Sequence, residues 1–322
     1  MKFTLKGSRF LVLGRAGMDF YADPPGVRLE QASQFVSALG GSAANIAVAI
    51  TRLGGNASLI SAVSDDAVGR YIRGQLAHYK VGTEFVGHVS GEARSSLAVV
   101  ETRNENCQSV IYRNGAADFE INGASITSIH FENFDALIVT GTALAKQPSR
   151  GGTLEAMALA KAKGLSNILD IDYRSYSWGS MAEVSATNMQ AVELSDLIIG
   201  NDVEFDVLAN GQHGKELAHH LAQKDGKTVV YKMGEKGSIT YQGANSLKTP
   251  IFKVQALKST GAGDSFMGAL VMGLAAGMDI EQAVKRGSAA AAIVVTRVGC
   301  APAMPTKIEL DEFMVTYAHS AL

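Results

Sequence analysis

Ser259-Thr260-Gly261-Ala262-Gly263-Asp264-Ser265-Phe266, followed by Met267-Gly268-Ala269-Leu270, sets a glycine-rich turn directly before a run of helical apolar character. Such a turn exposes backbone N–H groups at the positive end of a helix, which makes an anion site. Gly261 and Gly263 permit close backbone approach. Asp264 falls in the first helical turn, where a carboxylate can take a proton from an alcohol while neighbouring amides hold phosphoryl oxygens. The same carboxylate would serve as a plain helix cap, so the segment alone leaves both roles open. No Gly-Lys-Ser/Thr follows at P-loop spacing, and no GxGxxG completes a dinucleotide fingerprint.

Upstream, Gly40-Gly41-Ser42-Ala43-Ala44-Asn45 enters a second small-residue helix, Ile46-Ala47-Val48-Ala49-Ile50, which ends at Leu53-Gly54-Gly55. Small residues at the turn leave room for a ligand. The Asn45 amide, one turn inside, can bond a hydroxylated ligand or the protein backbone. Around these segments short β-branched runs alternate with longer helical patterns. Strands are predicted at residues 10–13, 58–63, 136–139, 167–170, 197–200 and 228–232. Helices are predicted at 42–53, 66–79, 153–163, 215–224, 262–276, 280–296 and 308–317. The alternation predicts an α/β fold with a mostly parallel sheet. Residues 15–39 and 92–117 break it, and the second stretch contains a β-hairpin signal, 95–101 and 109–113 about the polar turn 103–108. Two such insertions are expected to form a small β lid at the strand ends, over a core of residues 1–14, 40–91 and 118–322.

Composition narrows the function classes. The 322 residues carry 29 Lys+Arg against 31 Asp+Glu, a net charge of −2 that gives no global attraction to nucleic acid or anionic membrane. A 47% hydrophobic and 19% charged content is that of a globular chain of one large or two domains with a sizeable core. The 34 glycines make up about 11% against a usual share of about 7%, so their positions carry information. The charge-free stretch 31–51 has the length of a membrane span, but its Gln, Ser and Asn residues and paired glycines exclude that reading. The apolar run 10–13 after Lys2, Lys6 and Arg9 is too short for a signal-peptide core, so a cytoplasmic protein is expected. Cys107 and Cys300 stand far apart without a CxxC pattern, which predicts two reduced structural thiols and neither a disulfide nor a zinc site.

The two glycine segments, in this order and separation, resemble the two signatures of the PfkB, or ribokinase-like, family of carbohydrate kinases, and the resemblance covers nearly the whole chain. It implies ATP-dependent phosphoryl transfer to a sugar-type alcohol on a three-layer α/β/α core of about nine strands, with a β lid over the substrate and a homodimer formed through that lid. By the same resemblance Asp264 is the catalytic base and Gly261-Ala262-Gly263 the anion hole. Gly200-Asn201-Asp202-Val203-Glu204 resembles the family's Asn-x-x-Glu element, which orders hydrated Mg2+ near the phosphates. The three-residue spacing places Asn201 and Glu204 on one helical face, and a single carboxylate acting through water suits that ion. Acidic residues at a helix start are common without any metal. Val230-Tyr231-Lys232-Met233-Gly234-Glu235-Lys236-Gly237-Ser238 resembles the nucleotide-side turn, with Gly234 and Gly237 letting the chain pass close to ATP and Lys232 supplying charge. The small-residue stretch 287–299 would wall the adenine.

The acceptor side distinguishes members of the family, which act on ribose, fructose, nucleosides and several sugar acids. In Gly14-Arg15-Ala16-Gly17-Met18-Asp19-Phe20-Tyr21, Asp19 matches the family's substrate-side aspartate, suited to two sugar hydroxyls; alternatively it caps a turn. Gly40, Gly41 and Asn45 would complete that side. In Asp170-Ile171-Asp172-Tyr173-Arg174, with Trp178 nearby, Asp172 lies at the expected cleft, and Arg174 is suited to a bidentate grip on a carboxylate, with Arg113 at the end of the lid hairpin as a second cation. Desolvated guanidinium groups favour an acidic acceptor over a neutral sugar, which predicts a sugar-acid kinase. Lys258-Ser259-Thr260-Gly261 departs from the family's commoner Asp-Thr-Thr-Gly, a change that bears on phosphate contacts and on K+ as a possible cofactor. A regulator that binds sugar and nucleotide without turnover is the reading from a different class, and the absence of ADP release in a coupled assay would mark it.

Overall fold

The computed structural model describes residues 3–103 and 105–320; Lys2, and Asn104 within the turn expected at 103–108, lie outside them. Thirteen strands occur among the described residues: β1 (Arg9–Leu13), β2 (Gly17–Asp23), β3 (Gln34–Gly40), β4 (Asn56–Ser64), β5 (Val86–Val89), β6 (Ser96–Val100), β7 (Ser109–Tyr112), β8 (Ala136–Thr140), β9 (Ser166–Asp170), β10 (Leu197–Asn201), β11 (Thr228–Lys232), β12 (Ser238–Gln242) and β13 (Asn245–Thr249). The helices are α1 (Ser42–Arg52), α2 (Ala67–His78), α3 (Gly123–Thr127), α4 (Ser149–Ala162), α5 (Met181–Leu194), α6 (Asp202–Leu208), α7 (Gly214–Gln223), α8 (Ala262–Ala275), α9 (Ile280–Val295) and α10 (Lys307–Ser320).

Nine strands form one sheet in the order β13-β12-β11-β10-β9-β8-β1-β4-β5. Pairing is parallel from β5 through β11, and the last two pairs at the other edge, β11–β12 and β12–β13, are antiparallel. Strands covered on both faces read as continuous aliphatic runs, and the wholly buried Ala136–Thr140 and Phe10–Leu13 are of that kind. Helices α1, α8 and α9 cover one face, where Ile46, Ile50, Met267 and Leu270 meet Val12, Leu59 and Ile138; α4, α5 and α7 cover the other. The mostly parallel three-layer architecture is the one the sequence predicts.

The chain leaves this core twice, and the two excursions make a separate four-stranded sheet in the order β3-β2-β6-β7. Its central pair is parallel, with Gly17 opposite Ser96 and Asp19 opposite Ala98. The β2 and β6 strands start beside the C-terminal ends of core strands, so this small sheet stands next to the strand ends from which Asp170, Asn201 and Lys232 emerge. No helix among the described residues is long and apolar enough to cross a membrane.

Candidate active site

Helix α8 starts abruptly. Gly261, its N-cap, has φ 81°, and a Cβ there would sit 3.0 Å from the Cys300 sulfur, so backbone conformation and packing both demand glycine. The first intrahelical bond runs from the Ser265 N–H to the Gly261 carbonyl, which leaves the N–H groups of Ala262, Gly263 and Asp264 without an intrahelical acceptor. Asp264 does not cap the helix through its side chain. Its Oδ2 instead accepts a 2.8 Å hydrogen bond from the Asn45 amide nitrogen, one turn into α1. Burial, reinforced by the neighbouring Asp172 charge and opposed by Asn45, Arg174 and Lys232, pushes the Asp264 carboxyl up to about 6. A carboxylate raised to that point is ionised at neutral pH yet basic enough to receive a proton.

A cavity of about 490 Å3 opens in front of Asp264 and is lined by Arg15, Asp19, Asn45, Asp170, Asp172, Arg174 and Glu204 among others. The structure thus brings Asp19, Gly41, Asn45, Arg113, Asp172, Arg174, Asn201, Glu204, Lys232, Gly261, Gly263 and Asp264 to one cleft. Gly40 is not part of that lining. A Cβ on Gly40 would fall 1.9 Å from Asp19 Oδ1, and one on Gly41, where φ is 97°, would fall 2.3 Å from the Arg15 carbonyl oxygen. The paired glycines therefore make room for protein, the Asp19 carboxylate and the Arg15 backbone, rather than mainly for a ligand.

Asp19 is buried, accepts a hydrogen bond from the Tyr21 hydroxyl at 3.1 Å, and leaves Oδ1 without a protein partner. Burial lifts its carboxyl above the usual range against the pull of Arg15 and Tyr21. Asp170, at the buried end of β9, is pushed up to about 8 by burial and by Asp172, Glu204 and Asp264, with Lys232 opposing. Asp172 takes φ 38° and is gripped by Arg174 at 2.8 Å. Burial alone would raise its carboxyl, but Arg174, Ser42 and the other arginines outweigh it and hold it below the usual range.

Two of the expected cations are engaged by the protein itself. Arg113 is buried over the Phe119 ring, its guanidinium 4.1 Å from the ring centroid, and pairs through two nitrogens with Asp118 Oδ2. Arg174 is spent largely on Asp172. The case for a free carboxylate grip by Arg113 and Arg174 therefore needs correction, because each guanidinium already has its counter-charge. Asn201 and Glu204 do not project side by side from a helical face either. Asn201 is the N-cap of α6, and the two close a reciprocal capping box, with Glu204 N–H donating to Asn201 Oδ1 at 2.9 Å and Asn201 N–H donating to Glu204 Oε2 at 2.7 Å.

A second cavity of about 980 Å3 shares Asn201, Lys232, Ser259 and Gly263 with the first. Phe252, Val254, Ala291, Ala292 and Val295 give it an apolar wall, while Lys232 and the open start of α8 give it a cationic end. That pairing of apolar wall and anion site fits a nucleotide. The stretch expected to wall the adenine, 287–299, takes in the second half of α9 and runs four residues past its end; within the helix Gly287 packs on Phe266, and Ser288, Ala291, Ala292 and Val295 face the cavity. Gly234 and Gly237 both line it, and Gly237 has φ 81° with its Cα against the Thr249 carbonyl. Among the described residues no group of three or more His, Cys, Asp or Glu side chains is arranged to hold a metal. A hydrated Mg2+ fits the donor set better than a directly ligated one, since Glu204 has a single carboxylate already holding the Asn201 and Tyr173 N–H groups.

Sequence reasoning gave no role to two residues of the site and marked a third, Lys258, only as a departure from the family's pattern. Arg15 lies in a segment read for Asp19; Asp170 is a carboxylate ending an aliphatic strand, a signal in itself. Lys258 is fully buried, and its ammonium donates to the Thr260 carbonyl at the edge of the glycine turn.

Fold and site together define a sugar kinase, and the comparisons agree. Residues 8–307 match the model of the pfkB family carbohydrate kinases, and the chain belongs to that family. It is an ATP-dependent carbohydrate kinase. It is 40% identical over 312 residues to 5-dehydro-2-deoxygluconokinase of Photobacterium profundum, covering 95% of this chain and 94% of that one. It is 36% identical over 326 residues to 5-dehydro-2-deoxygluconokinase of Bacillus thuringiensis subsp. konkukian, covering 97% of each. Among solved structures it resembles a fructokinase double mutant from Vibrio cholerae O395 in its fructose-, ADP- and potassium-bound form, with TM-score 0.86, 28% identity and coverage of 97% and 99%.

Proposed function

We propose that this chain transfers the γ-phosphoryl group of ATP to the primary hydroxyl of 5-dehydro-2-deoxy-D-gluconate, giving the 6-phosphate, a step in inositol breakdown. The observation that carries the reading is the half-buried Asp264, held by Asn45 at the open start of α8 in a cleft where the two cavities meet. The relatives' names supply the acceptor. Asp264 accepts the hydroxyl proton as the oxygen attacks phosphorus in line, and the N–H groups of Ala262–Asp264 face the charge that spreads over the transferred group. Lys232, at the junction of the cavities, supplies a fixed positive charge beside them. Mg2+ would be held through water near Asn201 and Glu204 and would offset phosphate charge. Buried Lys258 supports activity without added K+, since it places a cationic side chain behind the glycine turn, although burial lowers its pKa. The small sheet acts as a lid, and the exposed Phe35, Val36, Val110 and Tyr112 on it support a homodimer contact.

An acceptor panel tests the reading. ADP release with 5-dehydro-2-deoxygluconate should exceed that with 2-keto-3-deoxygluconate, ribose and fructose. Fructose is the informative rival, because the V. cholerae structure holds fructose and the proposed acceptor has the same hydroxymethyl-ketone end. Preference for fructose or ribose would overturn the assignment, and binding without ADP release would mark a regulator.

A further inference from the structure

The acceptor cavity is lined by three arginines, Arg15, Arg113 and Arg174, and their charge balance differs. Arg113 is matched by Asp118 and Arg174 by Asp172. Arg15 forms no ion pair with a carboxylate among the described residues, and its side-chain hydrogen bond there goes to Ser96 Oγ at 3.0 Å. It is nevertheless 8% exposed. A desolvated guanidinium bonded only to a hydroxyl is costly unless something anionic completes it.

Asp19 is the neighbouring carboxylate on β2, but its hydrogen bond is accepted from the Tyr21 hydroxyl and it makes no ion pair with Arg15, so the guanidinium keeps donors for a second anion. The backbone fixes where that charge sits. The Arg15 carbonyl accepts the Ala44 N–H at the start of α1, one residue before Asn45, while Nη1 lies against Gly17 and Ser96 at the start of the small sheet. Asp264, held by Asn45, and the Arg15 guanidinium thus line the same cavity. The proposed acceptor calls for both groups, since its reacting hydroxyl and its carboxylate lie at opposite ends of the carbon chain.

We infer that Arg15 is the residue that selects a carboxylate-bearing acceptor, binding the acid end while Asp264 addresses the hydroxyl. The inference rests on the sugar-acid reading above and replaces Arg113 and Arg174 as the main anion contact. Lys at this position would keep the charge and lose the two-pronged geometry.

The test compares 5-dehydro-2-deoxygluconate with its methyl ester, which keeps the reacting end and removes the charge, in the wild type and in Arg15→Gln. The wild type should prefer the acid in kcat/KM. Arg15→Gln should raise KM for the acid about 10- to 150-fold, the range for a hydrogen bond to a charged group, leave KM for ATP within about threefold, and abolish the preference over the ester. If Arg15→Gln keeps the wild-type preference, or if the wild type shows none while phosphorylating the acid, the inference is overturned. If the wild type phosphorylates neither compound but is active on a neutral sugar, the sugar-acid reading itself falls. Should the Gln variant fail to fold, Arg15→Lys carries the same test: a preference reduced about tenfold supports the assignment, and an undiminished one overturns it.

Discussion

Replacing Asp264 by Asn separates the chemistry of the site from its cost to the fold. The Asn side chain can still accept the hydrogen bond from Asn45 but cannot take a proton from the acceptor, so turnover should fall about 10^2- to 10^4-fold. Stability should move the other way. In the folded chain the Asp264 carboxyl sits at about 6 rather than its ordinary 3.8, because burial and Asp172 disfavour the charge. The folded state therefore holds a proton that the unfolded chain has lost between these values, and stability falls as pH rises from 3.8 to 6. The difference corresponds to about 3 kcal/mol above pH 6 as a ceiling, and about half of that is a fair expectation for a group that the cleft leaves partly open. For a chain of this length it amounts to a rise of about 2–4 °C in Tm at pH 8. The advantage should shrink to about half by pH 5 and nearly vanish by pH 4. Thermal unfolding of both proteins at pH 8, 5 and 4, with ADP release on the same preparations, measures all of this. A variant no more stable than the wild type at pH 8, or equally stabilised at every pH, would refute the burial account; near-normal turnover would refute the role of base.

The same carboxyl sets the pH dependence of the free enzyme: kcat/KM should fall with unit slope below about pH 6, where Asp264 becomes protonated, and a profile flat to pH 5 would contradict its role. Arg174→Ala strips the buried Asp172 of its counter-charge and should cost about 1–3 kcal/mol in urea unfolding, with a smaller effect on acceptor KM than Arg15→Gln; a variant of unchanged stability would show the pair to be idle. Gly40→Ala drives a methyl into the Asp19 carboxylate and should lower kcat/KM for the acceptor about 100-fold at nearly constant KM for ATP, and unaltered acceptor kinetics would count against Asp19 as a contact.

Local signals carried much of the fold. The starts of α1 and α8 are dictated by glycine turns followed by small apolar residues, and both helices fall within a residue of their expected limits. The core strands are aliphatic runs buried on both faces, which is why their length and β-branched content found them without any alternation. The β12–β13 hairpin escaped because Ser238–Gln242 and Asn245–Thr249 are polar enough to pass for loop, and α5 because Met181–Leu194 spreads its apolar residues around the helix. Charge pairing was the least legible property. Asp118 is five residues from Arg113 and Asp172 two from Arg174, but nothing in those spacings says that the left-handed backbone at Asp172 and the turn at Asp118 aim each carboxylate at its arginine. Arg15 became visible only once its rivals were accounted for. The need for glycine at 40 is likewise tertiary, since it comes from a carboxylate 21 residues earlier in the chain.

The joint at Gly41 has a mechanical consequence. Strand β3 runs into α1 with this one residue between them, the Arg15 carbonyl on the way into β2 bonds the first turn of the same helix, and that helix carries the Asn45 amide to Asp264. Strands β2 and β3 of the small sheet thus hang from one pivot, and the pivot also holds the Asn45 amide against Asp264. A tilt of the small sheet would then shift the Asn45–Asp264 contact over one helical turn, without passing through the nine-stranded sheet.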